Sequence, residues 1–215
     1  MRDDPIKVKI CGLTRPDDVS VAIASGANYL GFNFFPGSPR YIDQATGAQL
    51  AALVPPDVTR VALTVDADTA TLDALTGTVP VDMLQLHGSE TPERVREVKA
   101  RYDLPVMKVI GISTADDVLL LDIYAGVADQ LLVDAKPPKG ANRPGGNAVA
   151  FDWSLITTRA WTMPWLLAGG LTPENVAGAI RQTGARQVDV ASGVESAPGL
   201  KDPGRMRAFI DAARA

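Results

Sequence analysis

The chain holds one cysteine and one histidine, and each stands at the end of a short apolar run, where a side chain could do proton chemistry. Cys11 closes Val8-Lys9-Ile10-Cys11 and leads directly into Gly12-Leu13-Thr14. Alternation along an extended segment puts its thiol on the same face as Lys9. Asp134 closes Gln130-Leu131-Leu132-Val133-Asp134, on the opposite face from Val133. A thiol and a carboxyl facing each other across a cleft make a base and acid pair once burial or neighbours move their pKa values. Taken singly, both have plainer uses: a free cysteine is commonly a small buried hydrophobe, and an acid at a strand tip commonly caps a loop.

Other groups could hold a substrate around that pair. Arg40 follows Phe34-Phe35-Pro36-Gly37-Ser38-Pro39, so its permanently charged planar fork sits on a loop stiffened by two prolines. That fork suits a carboxylate, unless it is only a solvated loop charge. Gln85 and His87 share one face at the end of Met83-Leu84-Gln85-Leu86-His87, where a lone histidine is more often hydrogen-bonded support than catalyst. Gly169-Gly170 and Ser192-Gly193 each follow an apolar run. Glycines there either make tight turns or let backbone N–H groups approach an anion, with the partial positive charge of a helix start behind them.

These groups need a scaffold that brings strand ends together. Runs of strand character are Val8–Cys11, Tyr29–Phe34, Arg60–Val65, Met83–Leu86, Val106–Ile110, Gln130–Asp134, Trp165–Ala168 and Gln187–Ala191, eight in all. Helical patterns separate them, and Thr91-Pro92-Glu93, Thr172-Pro173-Glu174 and Asp202-Pro203 each offer a capping oxygen followed by proline at a helix start. Ser113 to Asp116 reads as a weaker capping box. Eight alternating units without a compositional break imply a single α/β domain over residues 1–215, a (β/α)8 TIM barrel whose chemistry lies at the C-terminal strand ends. An open doubly wound sheet is the alternative, and its dinucleotide-binding version lacks a GxGxxG after the first strand.

Composition narrows the function. The 21 basic and 25 acidic residues give a net charge of -4, with no like-charged block, which argues against nucleic-acid and membrane-surface partners. A single cysteine forms no internal disulfide, and one Cys with one His cannot assemble a Cys/His zinc cluster. Met1-Arg2-Asp3-Asp4-Pro5 is acidic where a signal peptide is basic, and the uncharged stretch Val19–Pro39 is broken by Ser25-Gly26-Ala27-Asn28. The expectation is a cytoplasmic protein without a membrane span.

Lys9-Ile10-Cys11-Gly12-Leu13-Thr14, Gly31 to Phe35 with Ser38-Pro39-Arg40, Gln85-Leu86-His87-Gly88, Phe151-Asp152-Trp153, Gly169-Gly170-Leu171 with Pro173-Glu174-Asn175-Val176, and Val188 to Glu195 stand in order along the chain. Together they closely resemble the phosphoribosylanthranilate isomerases of tryptophan biosynthesis, from about residue 6 to the last helix. The resemblance implies a (β/α)8 barrel that uses no cofactor and no metal. It implies an Amadori rearrangement of N-(5-phosphoribosyl)anthranilate to 1-(2-carboxyphenylamino)-1-deoxyribulose 5-phosphate, a small phosphorylated substrate handled by a monomer or homodimer. Carried onto this chain, it makes Cys11 the general base and Asp134 the general acid. Arg40 holds the anthranilate carboxylate, Gly169, Gly170, Ser192 and Gly193 hold the phosphate, and Gln85 and His87 line the site. The roles require opposite environments, since a thiol near pKa 8.5 must lose its proton while a carboxyl near about 4 must keep one.

Lys9 and Asp189 lie within the first and eighth runs, which neighbour each other in a closed barrel, so an internal ion pair is expected, with Asp189 also in reach of a substrate hydroxyl. The chain departs from the family pattern at Leu63-Thr64-Val65-Asp66, which lacks the usual aromatic, and at Ala148, which replaces a glycine. The segment Lys136 to Ala148, with Lys139 and Arg143, looks long and reads as either an active-site lid or a surface loop. Two other functions fit parts of the pattern. The related histidine-pathway aminoaldose isomerase typically has aspartate where Cys11 stands, and a non-catalytic phosphate-binding barrel would have no use for Cys11, Asp134 and Arg40 together.

Overall fold

Apolar runs flanked by helices are buried on both faces, so their backbone groups must pair side by side and their side chains must divide between an inner and an outer core. The computed structural model, which describes residues 5–136 and 150–215, shows that division. Its elements run β1 (Lys7–Cys11), α1 (Pro16–Ala24), β2 (Tyr29–Asn33), α2 (Gln44–Ala51), β3 (Thr59–Thr64), α3 (Thr69–Thr78), β4 (Met83–Leu86), α4 (Pro92–Tyr102), β5 (Val106–Ile112) and α5 (Ala115–Ala125). They continue with β6 (Gln130–Ala135), α6 (Ser154–Thr157), β7 (Trp165–Leu167), α7 (Val176–Thr183), β8 (Gln187–Val190), the short hairpin β9 (Glu195–Ala197) and β10 (Leu200–Lys201), and α8 (Pro203–Arg214). The first eight strands pair in parallel and close as a barrel, β8 returning to β1 with Lys9 opposite Asp189. The chain is therefore a (β/α)8 barrel, and the eight strands expected from sequence are the eight that form it.

Parity sorts the side chains. Tyr29, Val61, Met83, Met107, Val109, Leu132, Leu166 and Ala168 make a small apolar cluster of their own, while the alternate residues join the larger core against the helices. A polar layer closes the lower end of the barrel interior: Gln187 Oε1 accepts from Tyr29 Oη at 2.8 Å and from Gln130 Nε2 at 3.0 Å. Filled from below, the interior leaves its upper layer to polar residues, where barrel chemistry sits.

Helix starts follow local hydrogen bonding. Thr91 and Asp202 cap α4 and α8, accepting from the backbone N–H of Arg94 and Arg205, with Pro92 and Pro203 in the first turn. Two expected starts are displaced. Thr172 does not begin α7, because Asn175 accepts from Thr172 N at 2.8 Å and donates to Gly170 O at 2.9 Å, pinning a turn that delays the helix to Val176. The capping group of α5 is Asp117 rather than Asp116: its Oδ2 accepts from the backbone N–H of Ser113 at 2.9 Å and Thr114 at 3.0 Å. Among the described residues no helix is long and apolar enough to cross a membrane. The segment read as lid or loop lies, from residue 137 on, outside the described residues.

Candidate active site

Cys11, Asn33, Gln85, Asp134 and Ala168 stand at or just past the C-terminal ends of β1, β2, β4, β6 and β7. Their parity points them inward, so they share the barrel mouth. Asp134 is 8 % exposed. Its Oδ1 accepts from the N–H of Ala135 at 2.7 Å, and a Cβ on Gly169, whose φ is +83°, would lie 2.6 Å from Ala135 N and 3.1 Å from that oxygen. Gly169 therefore keeps the space the carboxyl occupies. Burial, then the charge of Asp189, pushes the Asp134 carboxyl up to about 7, against the opposing pull of the Ala135 N–H and Lys9. Such a carboxyl is half protonated at neutral pH, which is what a general acid needs.

Cys11 is buried at the end of β1. Burial raises its thiol pKa, and the positive charges of Lys9 and Lys201 only partly offset this. The expectation of opposite shifts is thus corrected: both groups move toward their protonated forms, because both lose water. Cys11 nevertheless lies within a set of buried charges. Lys9 Nζ donates to Asp189 Oδ1 at 2.8 Å, the internal pair expected from the neighbouring first and eighth strands of a closed barrel. Glu195 accepts from Arg40 through Nε and Nη2 at 2.7 and 2.8 Å, and from Lys201 Nζ at 2.7 Å.

Arg40 is therefore no solvated loop charge. At 4 % exposure it is a buried fork, held bidentately by Glu195, with Nη1 the edge Glu195 does not engage. Gly12, at φ +77°, makes room for its stem, since a Cβ there would lie 2.3 Å from Arg40 Cδ. Sequence reasoning missed the partners. Glu195 sat unassigned at the end of the eighth-strand motif, and Lys201 carried no local signal, because only the β9–β10 hairpin turns it back to Ala191 O at 2.9 Å.

His87 lies with Nδ1 3.3 Å from Gln85 Nε2 and Nε2 3.6 Å from Asp134 Oδ2. That last approach is not an ion pair. Burial, reinforced by the charges of Lys108 and Lys9, drives the imidazole down to about 3, so a neutral ring faces a carboxyl that is half protonated at neutral pH. With the Gln85 amide donating to Nδ1, the ring proton is on Nε2, and both His87 Nε2 and Gln85 Oε1 are buried with no hydrogen-bond partner among the described residues. Behind the histidine, Glu90 accepts from the N–H of Gly88 and Asp66 at 2.9 Å each and from Lys108 Nζ at 2.7 Å, clamping the turn that carries it. Asp66 and Lys108 lie well away from this turn in the chain, so the clamp was not legible from sequence. The only histidine should show no protonation midpoint between about pH 5 and 8 in an NMR titration. A midpoint near the free value of about 6.5 would mean a solvated ring.

The glycine turns lie above β7 and β8. Gly170 takes φ +63°, and Ser192–Val194 forms a single 3-10 turn. A Cβ on Gly193 would stand 1.9 Å from Leu171 O, so the two turns touch backbone to backbone. That contact ties Gly169-Gly170-Leu171 to Ser192-Gly193 as one surface.

The family model described as N-(5'phosphoribosyl)anthranilate (PRA) isomerase matches residues 8–212. The chain belongs to the phosphoribosylanthranilate isomerase family. It is 59 % identical over 209 residues to the N-(5'-phosphoribosyl)anthranilate isomerase of Cereibacter sphaeroides, covering 97 % of this chain and 99 % of that one. Among solved isomerases, one in complex with reduced 1-(o-carboxyphenylamino)-1-deoxyribulose 5-phosphate superposes with TM-score 0.83 at 34 % identity, covering 97 % of this chain and 98 % of that one. Monomers generated from the dimeric Thermotoga maritima isomerase give the same TM-score, identity and coverage. Against these isomerases, all the residues singled out at strand ends here fall within the matched span.

Proposed function

We propose that this isomerase converts N-(5-phosphoribosyl)anthranilate to 1-(2-carboxyphenylamino)-1-deoxyribulose 5-phosphate, an Amadori rearrangement in tryptophan biosynthesis. The observation that carries the residue assignment is the barrel mouth, where a carboxyl pushed to about 7 and a thiol among buried cations stand at the ends of β6 and β1. Asp134 donates its proton to the furanose ring oxygen, opening the ring to a protonated Schiff base. Cys11 then takes the proton from C2, the C–H electrons form the enolamine double bond, and the enolamine tautomerises to the ketone. No step needs a redox partner.

The substrate carries a carboxylate at one end and a phosphate at the other. Arg40 meets the carboxylate, its orientation fixed by Glu195. Backbone groups of Gly169, Gly170, Ser192 and Gly193 meet the phosphate, supported by the contact of the two turns. Gln85, His87 and Asp189 line the sugar between them. In this reading the chain is one barrel domain working in the cytoplasm as a monomer or homodimer.

Purified protein given fluorescent N-(5-phosphoribosyl)anthranilate should abolish the fluorescence catalytically, with product confirmed by mass and chromatography. Retention of full fluorescence over many enzyme equivalents would overturn the reading, and turnover of the histidine-pathway aminoaldose alone would replace it.

A further inference from the structure

Lys9 is fully buried, yet among the described residues its ammonium has one carboxylate within hydrogen-bond distance, Asp189 Oδ1 at 2.8 Å. Its inward neighbour on the same strand is Cys11, and the residue beside Cys11 on the next strand is Gly31. A Cβ placed on Gly31 would stand 2.9 Å from Cys11 Sγ and 3.1 Å from Lys9 Nζ. The sulfur and the ammonium thus press on one point, and they share that space because β2 offers no side chain there.

Charges around the sulfur do not balance without it. Lys9, Arg40 and Lys201 are buried cations, while Asp189 and Glu195 are the carboxylates that answer them, and Glu195 is shared by Arg40 and Lys201. Among these five side chains three positive groups face two negative ones, and the Asp134 carboxyl, half ionised at neutral pH, adds only part of a third. Unbalanced buried charge is costly, so a further negative group at the open position is stabilised.

We propose that Lys9 is a positioning residue for catalysis: seated on Asp189 and given room by Gly31, its ammonium is the charge partner that lets Cys11 work as a thiolate. The proposal rests on the assignment of Cys11 as the base. The groups that face the sulfur are Lys9 from β1, Asp189 from β8, Lys201 from β10 and Arg40 from the loop after β2. Of these, Lys9 exerts the largest pull toward the thiolate, ahead of the opposing charge of Asp189. Lys9 itself stays protonated, its pKa held above the ordinary lysine value by Asp189 and Cys11 in spite of burial. It supplies charge and transfers no proton.

Because the chain has one cysteine, its ionisation can be read without interference. Protein labelled with [3-13C]cysteine should give one resonance whose shift follows the thiol. Lys9→Met should move its midpoint upward by about one pH unit or more, the range expected on losing an adjacent opposite charge. The double variant Lys9→Met with Asp189→Asn removes the pair as a neutral unit and covers the case in which the single variant fails to fold; its midpoint should also rise, by less. A midpoint in the double variant at or below that of the wild type would overturn the proposal. With substrate, Lys9→Met should lose roughly tenfold or more in kcat at neutral pH, with the loss shrinking as pH rises; a deficit that stays constant with pH would count against it. Ionisation is measured without substrate, so its outcome stands apart from whether the proposed isomerase activity is found.

Discussion

Asp134→Asn should lower kcat by roughly 10²–10⁴-fold, the range for removing a positioned general acid, while leaving KM within a few-fold of wild type. Asparagine keeps the shape, and its amide oxygen can still accept from Ala135 N, so the backbone of β6 has no reason to move. The difference is the proton. Wild-type activity needs Asp134 protonated while Cys11 is deprotonated, so the proton that burial keeps on Asp134 up to about pH 7 is one of two conditions on the productive form. Stability provides the control. A carboxyl whose folded pKa exceeds its unfolded one binds more protons when folded, so its burial costs nothing well below pH 4 and most above about 7. Asp134→Asn should therefore be at least as stable as wild type at pH 8, with the difference narrowing toward pH 4. A variant that loses activity and melts lower at pH 8 would indicate a structural role for Asp134. A variant with undiminished kcat would remove the residue from catalysis.

The strand ends were legible because burial on both faces makes strands into apolar runs with clear stops. Met83–Leu86 matches its strand residue for residue, and the other seven miss by one or two at an end. Alternation, a property of the chain itself, put Cys11 on the face of Lys9 and Asp134 opposite Val133, and the adjacency of first and eighth strands in a closed barrel paired Lys9 with Asp189. Contacts made by residues distant in sequence were not legible. Nothing local to Arg40 says that its fork will be held by Glu195, or to Glu90 that Lys108 and the N–H of Asp66 will complete a clamp behind His87. The direction of the Cys11 shift was misjudged for the same reason: desolvation depends on everything packed around the thiol, and a motif records only its neighbours in the chain.

Cys11→Ala should cost roughly 10²–10⁴-fold in kcat, again the range for a lost proton-transfer group, and Cys11→Ser should fare little better. Serine nearly preserves the size and polarity of the thiol, but a hydroxyl is a far weaker acid and gives almost no anion even beside Lys9. If Cys11 were only a small buried hydrophobe, both variants would keep their rate and lose a little stability. The wild-type pH profile makes the distinction sharper. The productive protein has Cys11 deprotonated and Asp134 protonated, yet Asp134 titrates near 7 and burial holds the thiol above its ordinary range. The productive form is then a minor one at every pH, and its population is largest between the two values, falling with acid as the thiolate is lost and with base as the carboxyl is lost. A bell-shaped kcat/KM with its lower limb near pH 7 is the expected result, because the lower macroscopic midpoint belongs to Asp134 even though Cys11 is the base. In Cys11→Ala the residual rate no longer needs a thiolate, so the lower limb should flatten while the upper limb moves to the Asp134 value. A profile for Cys11→Ala with both limbs in place and kcat near wild type would leave the thiol no part in the reaction.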